Sequence, residues 1–242
     1  MNLAEVWTAA TEAWGLLATY PLHWLAVVVV FLIAVECLMF IPFVGFVLKL
    51  AVAGVAAAQV IALFGAAAAG ESPNPLALFA AFSLPIGAQV ALAFAALLPF
   101  AVGIGYLYVK AGPKGIEFFF GNIFKLKPPA AELFVKFKYV MQVAALPFTF
   151  LAGAVVIKGL SGIAAISTAV VAAATHWLPV LVLGALAFAL EWSSVQLASL
   201  LPKPAAVVVG VVLLVAFLAW SFAFTYTVSA RVFGPAVVRS AV

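Results

Sequence analysis

The chain has 242 residues, of which 69% are hydrophobic and 7% are charged, and its mean hydropathy is +1.34. A soluble domain carries roughly 25% charged residues to cover its surface, so this composition excludes a soluble globular protein and indicates one that lipid surrounds. The net charge of +4 does not indicate nucleic-acid binding, because the basic residues cluster beside apolar runs, where membrane topology and anionic headgroups account for them.

Residues 2–19 predict an amphipathic helix that lies on the membrane surface instead of crossing it. Glu5 and Glu12 share one face of this helix, opposite residues that are mainly apolar. No Lys or Arg precedes Lys49, so the positively charged start of a secretory signal peptide is missing. We therefore expect the first apolar segment to be kept.

Six or seven apolar runs follow, separated by turns and loops rich in Pro, Gly and Asn. A bilayer core of roughly 30 Å needs about 20 apolar residues, so residues 163–175 are short and either cross or form a re-entrant segment. The prediction is an all-α, polytopic transmembrane helical bundle with interfacial amphipathic helices. Its predicted spans are 23–41, 46–69, 86–109, 139–157 with a kink at Pro147, 163–175, 180–200 and 205–230.

Residues 110–138 hold six of the 11 Lys and Arg residues, and the positive-inside rule places this segment in the cytoplasm. Three preceding spans then put the first helix outside. Seven spans fit the charges best, because Arg231 and Arg239 also fall inside. We expect two interfacial pieces here, with aromatic side chains down and lysines toward anionic headgroups or a partner. The candidate surface comprises Lys114, Lys125, Lys127, Lys136 and Lys138.

The chain is predicted to form one integral membrane domain, residues 1–242, in the cell (cytoplasmic or inner) membrane. Within it, residues 1–109 form a first helical half, 110–138 the cytoplasmic basic interfacial segment, and 139–242 a second helical half.

The turn Ile41-Pro42-Phe43-Val44-Gly45 and the loop Gly70-Glu71-Ser72-Pro73 carry a family resemblance. Their order between the first spans resembles uncharacterised prokaryotic multi-pass families that are similar to the membrane domain of some glycerophosphodiester phosphodiesterases. The resemblance covers residues 3–85. It implies a membrane domain without catalytic residues of its own, and it would place the Glu71 loop in the cytoplasm, whereas the lysine distribution places that loop outside.

Glu36 is the most informative single residue, because an unpaired carboxylate inside an apolar span is costly. Lys49 lies as far beyond the predicted turn at Pro42 and Phe43 as Glu36 lies before it. In an antiparallel hairpin the two side chains therefore reach one depth. We expect a structural ion pair, with a proton- or cation-coupling site and a contact between subunits as open alternatives.

Glu191 and Ser194 belong to the most polar patch within a predicted span. The first interpretation is a carboxylate that reaches the headgroup region, and the alternative is contact with a substrate or ion. His23 and His176 each precede a Trp at a span boundary, which is typical of the aromatic belt rather than of haem or metal ligands.

Catalytic and metal-binding patterns are missing from the sequence. The chain has no Asp, and its single cysteine, Cys37, is expected to be a small buried hydrophobe. No phosphate loop, nucleophile elbow or metal motif occurs. We predict a protein that is not an enzyme and has no cofactor.

These patterns favour a non-catalytic membrane subunit or accessory protein that packs in or anchors a larger membrane complex. The alternative is a small secondary transporter or lipid-handling protein that uses Glu36 and Glu191. The expected partners are the bilayer, its anionic headgroups, and other membrane subunits or further copies of this chain.

Overall fold

The computed structural model describes residues 1–41, 44–120 and 131–234, and within these ranges it contains helices and no strand. The predicted all-α fold class is therefore confirmed. The helices are α1 (Leu3–Thr19), α2 (Pro21–Glu36), α3 (Gly45–Ala68), α4 (Ile86–Ala111), α5 (Pro113–Phe120), α6 (Ala131–Ala145), α7 (Leu151–Val156), α8 (Gly162–Thr175), α9 (Trp177–Leu200) and α10 (Lys203–Phe233), with 3-10 segments at Cys37–Phe40, Pro75–Ser83 and Leu146–Phe148.

Five segments of the described chain are long and apolar enough to cross a membrane, and a bent pair of helices raises the number to as many as six. The prediction of a multi-pass membrane protein is confirmed. The five segments are Pro21–Phe40, Gly45–Ala68, Ile86–Ala111, Glu132–Val156 and Pro204–Phe233, and the bent pair is Gly162–Thr175 with Trp177–Leu190.

α3 occupies the centre of the bundle, where it contacts α2, α4, α7 and α10. A Cβ atom at Gly54 would lie 2.6 Å from the carbonyl oxygen of Leu92, so α3 and α4 approach more closely than a side chain would permit. On the other side, the ring of Trp24 on α2 stacks on Phe64 of α3 with centroids 3.7 Å apart. Close backbone packing and aromatic stacking thus fix α2, α3 and α4 together.

α8 does not form a separate crossing, because it meets α9 at 89°. Its 14 residues span about 21 Å, which is less than a bilayer core. Ser161, just before α8, lies beside Gly87 at the start of α4, and His176, just after it, lies 3.0 Å from the nitrogen of Met1. Both ends of α8 are therefore at the end of the bundle that holds α1, and the expectation of seven spans is corrected.

α1 and the last turns of α10 lie at the same end of the bundle, which we call the α1 end. The hydroxyl of Thr227 on α10 donates to the carbonyl of Ala9, and Nη2 of Arg231 lies 2.7 Å from Oε1 of Glu12. α1 leads directly into α2, so the start of α2 also lies at the α1 end. Because Arg231 lies at that same end, the chain crosses the membrane an even number of times between the start of α2 and Arg231. Six crossings satisfy this condition, and the expectation that Arg231 shares a side with the lysine-rich segment is wrong.

The opposite end, which we call the lysine end, is built from the end of α4, α5 and the start of α6. A second hydrophobic cluster forms here around Phe100, Phe119 and Phe137. α6 belongs to the fourth crossing, Glu132–Val156, so the second of the two predicted interfacial pieces is instead the beginning of that span. Of the aromatic side chains expected to enter the membrane, Phe119 and Phe137 are instead buried against protein.

Candidate functional site

The fourth crossing is broken between α6 and α7. Pro147 cannot donate a backbone hydrogen bond, and a 3-10 turn over Leu146–Phe148 replaces the α-helix there. Thr149 then uses both its backbone N–H (3.2 Å) and its hydroxyl (2.8 Å) to donate to the carbonyl oxygen of Leu146. The predicted kink at Pro147 is thus a local interruption of α-helical hydrogen bonding within one crossing, Glu132–Val156, and the bonds from Thr149 replace part of what the interruption removes.

A cavity of about 390 Å³ lies beside this break. It is bordered by α3, α4, α9 and α10 as well as by the broken crossing. Its α3 lining residues, among them Gly54 and Ile61, are near the middle of that 24-residue helix. The cavity therefore lies at about half the depth of the membrane-spanning bundle.

Four polar, uncharged side chains line the cavity: Gln142, Thr149, Ser221 and Thr225. The hydroxyl of Ser221 donates to the carbonyl of Leu218 at 3.0 Å. The other lining residues are apolar, and no ionisable side chain is among the lining residues described. A charged molecule at this depth would lack a counter-charge, so the cavity suits an uncharged molecule with a polar group.

Small residues leave the room that the cavity occupies. Ala57 on α3, Ala96 on α4 and Ala187 on α9 all line it, together with Gly184. A Cβ atom at Gly184 would lie 3.1 Å from Cδ2 of Leu146, so α9 passes close to the helix break. Larger side chains at the three alanine positions would occupy the space of the cavity.

The structure brings Glu36 and Lys49 together, as the sequence predicted. Lys49 Nζ lies 2.7 Å from Oε1 and 2.8 Å from Oε2 of Glu36. The side chain of Lys49 is 22% exposed and that of Glu36 is 55% exposed. Neither residue lines the cavity, so the proposed substrate or ion contact at Glu36 is not part of this site.

Glu191 and Ser194 lie on α9, but the placement of their side chains is outside what the structure describes. Glu191 follows Ala187 by four residues and so stands one helical turn from the cavity. Its predicted contact with a substrate or ion stays a prediction.

The predicted lysine surface is partly described. Lys114 and Lys136 are exposed, and Lys136 pairs with Glu132 one turn earlier. The ammonium group of Lys138 lies 5.2 Å from the centre of the Phe134 ring, in a cation–π arrangement. Lys125 and Lys127 lie outside the described residues.

Sequence reasoning missed the cavity although signals for it were present. Ser221 and Thr225 are four residues apart on α10 and so occupy one helical face, while Gln142 and Thr149 lie on either side of Pro147. Polar residues on one face of an apolar span indicate an internal contact. Cys37 is a further correction, because it is exposed on the outer surface of the bundle rather than buried.

Comparison with known proteins found no matching family model, no matching curated protein and no matching solved structure. The resemblance to the membrane domain of glycerophosphodiester phosphodiesterases therefore stays a prediction. The site is interpreted from its own geometry.

Proposed function

We propose that this protein is a non-catalytic integral membrane protein that binds an uncharged, lipid-like molecule in the cavity beside the broken fourth crossing. The observation that carries the proposal is a mid-depth cavity with four polar linings and no charged one among the lining residues described. Its volume of about 390 Å³ falls within the range of roughly 300–1,000 Å³ that is usual for small-molecule sites. The proposal corresponds to the lipid-handling alternative of the sequence analysis, but its polar contacts are Gln142, Thr149, Ser221 and Thr225 instead of Glu36 and Glu191.

Two further features support this proposal. Membrane transporters commonly place their binding sites near the bilayer midplane, beside discontinuous helices, because irregular backbone is tolerated there only next to protein or a cavity. The ion pair of Glu36 and Lys49 lies outside the cavity, where it holds α2 against α3. Because no charged side chain is among the lining residues described, the ligand needs no charge to bind and can reach the site from the bilayer.

Filling the cavity is expected to abolish ligand-dependent stabilisation. In phospholipid nanodiscs, 1-dodecanol at a hundred times its Kd should raise the unfolding free energy of the wild-type chain by about 2.7 kcal/mol, by mass action. Ala187→Phe places a ring in the cavity and should remove this gain. The measurement is the thermal unfolding midpoint with and without 1-dodecanol.

Ala189→Phe is the matched control, since Ala189 lies on the same helix but is exposed and does not line the cavity. It should respond to 1-dodecanol as the wild type does. Dodecanoate at pH 9, with the same chain and a charged head, should stabilise the wild type far less. Equal responses of the two variants, or an equal effect of dodecanoate, would contradict the proposal.

The accessory-subunit role is a second candidate, and α10 favours it. In the most apolar part of Pro204–Phe233 only 11% of residues are buried, against 28–39% in the segments Pro21–Phe40, Gly45–Ala68, Ile86–Ala111 and Glu132–Val156. The first half of α10 thus contributes little to the core of this chain and is available to a neighbouring membrane subunit. Its exposed large hydrophobic residues are Val207, Val208, Val209, Val211, Val212 and Leu214.

We also propose which end of the bundle faces the cytoplasm, from the lysines of the lysine end. Lys110, Lys114 and Lys136 are exposed there, so the positive-inside rule favours a cytoplasmic lysine end in the cell (inner) membrane. Anionic headgroups of that leaflet are the proposed partners of these side chains.

A further inference from the structure

We infer that the molecule bound in this cavity is a hydroxyl-bearing, single-chain lipid, such as a long-chain alcohol. This inference rests on the proposed function and specifies the ligand of the same site. It follows from which hydrogen bonds the four polar side chains can still make with a ligand, and from the volume of the cavity.

Two of the four polar side chains that line the cavity already donate to backbone carbonyl oxygens. The hydroxyl of Thr149 donates to the carbonyl of Leu146 at 2.8 Å, and the hydroxyl of Ser221 donates to the carbonyl of Leu218 at 3.0 Å. A hydroxyl group has one hydrogen and two lone pairs, so while these bonds are kept each oxygen offers a ligand only lone pairs. A ligand that meets these two oxygens without breaking those bonds supplies the hydrogen itself.

The other two polar linings can bind an oxygen atom. Within the described residues, the side chains of Gln142 and Thr225 make no hydrogen bond, and both carry N–H or O–H donors. A polar group left without a partner in an apolar interior is unfavourable. A ligand hydroxyl both donates and accepts, so it satisfies either pair, whereas an ether or an ester can serve only the second.

The volume limits the apolar part of the ligand. The volume of about 390 Å³ lies near the lower end of the roughly 300–1,000 Å³ that is usual for small-molecule sites. A single 12-carbon chain with one hydroxyl group is therefore a closer match than a lipid with two long chains.

Competition between two matched compounds tests the inference. The full chain in phosphatidylcholine nanodiscs is photolabelled with a 12-carbon alcohol that carries a diazirine, and the labelled peptides are identified by mass spectrometry. Unlabelled 1-dodecanol and 1-methoxydodecane then compete. They share the chain and the oxygen, but the ether lacks the hydrogen. We expect the alcohol to compete about fivefold more strongly, the ratio that one net hydrogen bond of about 1 kcal/mol gives.

The outcomes separate this inference from the proposed function. Equal competition by both compounds at cavity peptides would overturn the hydroxyl requirement and leave the binding function intact. Labelling that avoids the cavity peptides would overturn the binding function as well. In the double variant Thr149→Val with Ser221→Ala the preference for the alcohol should disappear, and in Thr149→Ser it should remain. Thr175→Val, which removes the same kind of hydroxyl-to-carbonyl bond outside the cavity, should leave the preference unchanged.

Discussion

Glu36→Gln is expected to destabilise the protein by about 1–2 kcal/mol, because it leaves the partly exposed ammonium group of Lys49 without its counter-charge near the end of a membrane-spanning hairpin. The charge-neutral double variant Glu36→Gln with Lys49→Gln should recover more than half of this loss, since no unpaired charge remains. The measurement is the free energy of unfolding of wild type, both single variants and the double variant in the same lipid. This cycle isolates the coupling between the two groups.

A second ion pair in the chain provides the control. Glu132 and Lys136 form a pair one turn apart at the exposed lysine end. Because solvent screens this pair, Glu132→Gln should leave the free energy of unfolding nearly unchanged. If Glu36→Gln costs no more than Glu132→Gln, or if the double variant is as unstable as the single one, the ion pair does not hold α2 against α3.

Gly54→Ala is expected to cost about 1–3 kcal/mol, although alanine favours helices more than glycine does. The added Cβ would lie 2.6 Å from the carbonyl oxygen of Leu92 and 2.9 Å from Cβ of Ala96. Since a backbone oxygen cannot rotate away, α3 and α4 must separate. Thermal or denaturant unfolding in nanodiscs measures the loss.

Gly105→Ala is the matched substitution, because Gly105 lies within α4 and a Cβ atom added there would have no neighbouring atom within 4 Å. It should leave stability unchanged or raise it by up to about 1 kcal/mol. The same result for both variants would mean that α3 and α4 do not meet at Gly54. The cavity would then lose one of its walls, because Gly54 lines it.

The crossings and the ion pair could be predicted from the sequence because each depends on distance along the chain. About 20 apolar residues set the length of a span whatever its neighbours are. A short turn fixes the relative depth of residues on either side, which is why the sequence predicts that Glu36 and Lys49 meet. Local chemistry likewise marks Pro147 as a weak point of its span, since proline lacks a backbone donor, although α4 continues through Pro99.

Features that depend on tertiary neighbours could not be predicted in this way. The alanine stripe of α8, which includes Ala165 and Ala169, is compatible with a crossing or with a helix that lies across the end of the bundle. Contact with α4 and α7 decides between them. The side of the membrane reached by Arg231 depends in turn on that decision, and its bond to Glu12 joins residues more than 200 positions apart.

The cavity is the clearest case of this limit. Its walls come from five separate parts of the chain, and periodicity indicates the polar face of each helix but not which faces meet. Gln142 and Ser221 become a site only because α6 and α10 turn these faces toward the same space beside the break.

The most direct test of the account is native mass spectrometry of the full chain, purified in mild detergent without added lipid. We predict one uncharged, single-chain molecule of a few hundred daltons bound to each wild-type chain, retained in Ala189→Phe and lost in Ala187→Phe. A mass that instead corresponds to a stoichiometric protein partner, with no small neutral ligand, would contradict the binding function and favour the accessory-subunit role. Retention of the same small molecule by Ala187→Phe would show that it binds somewhere other than the cavity.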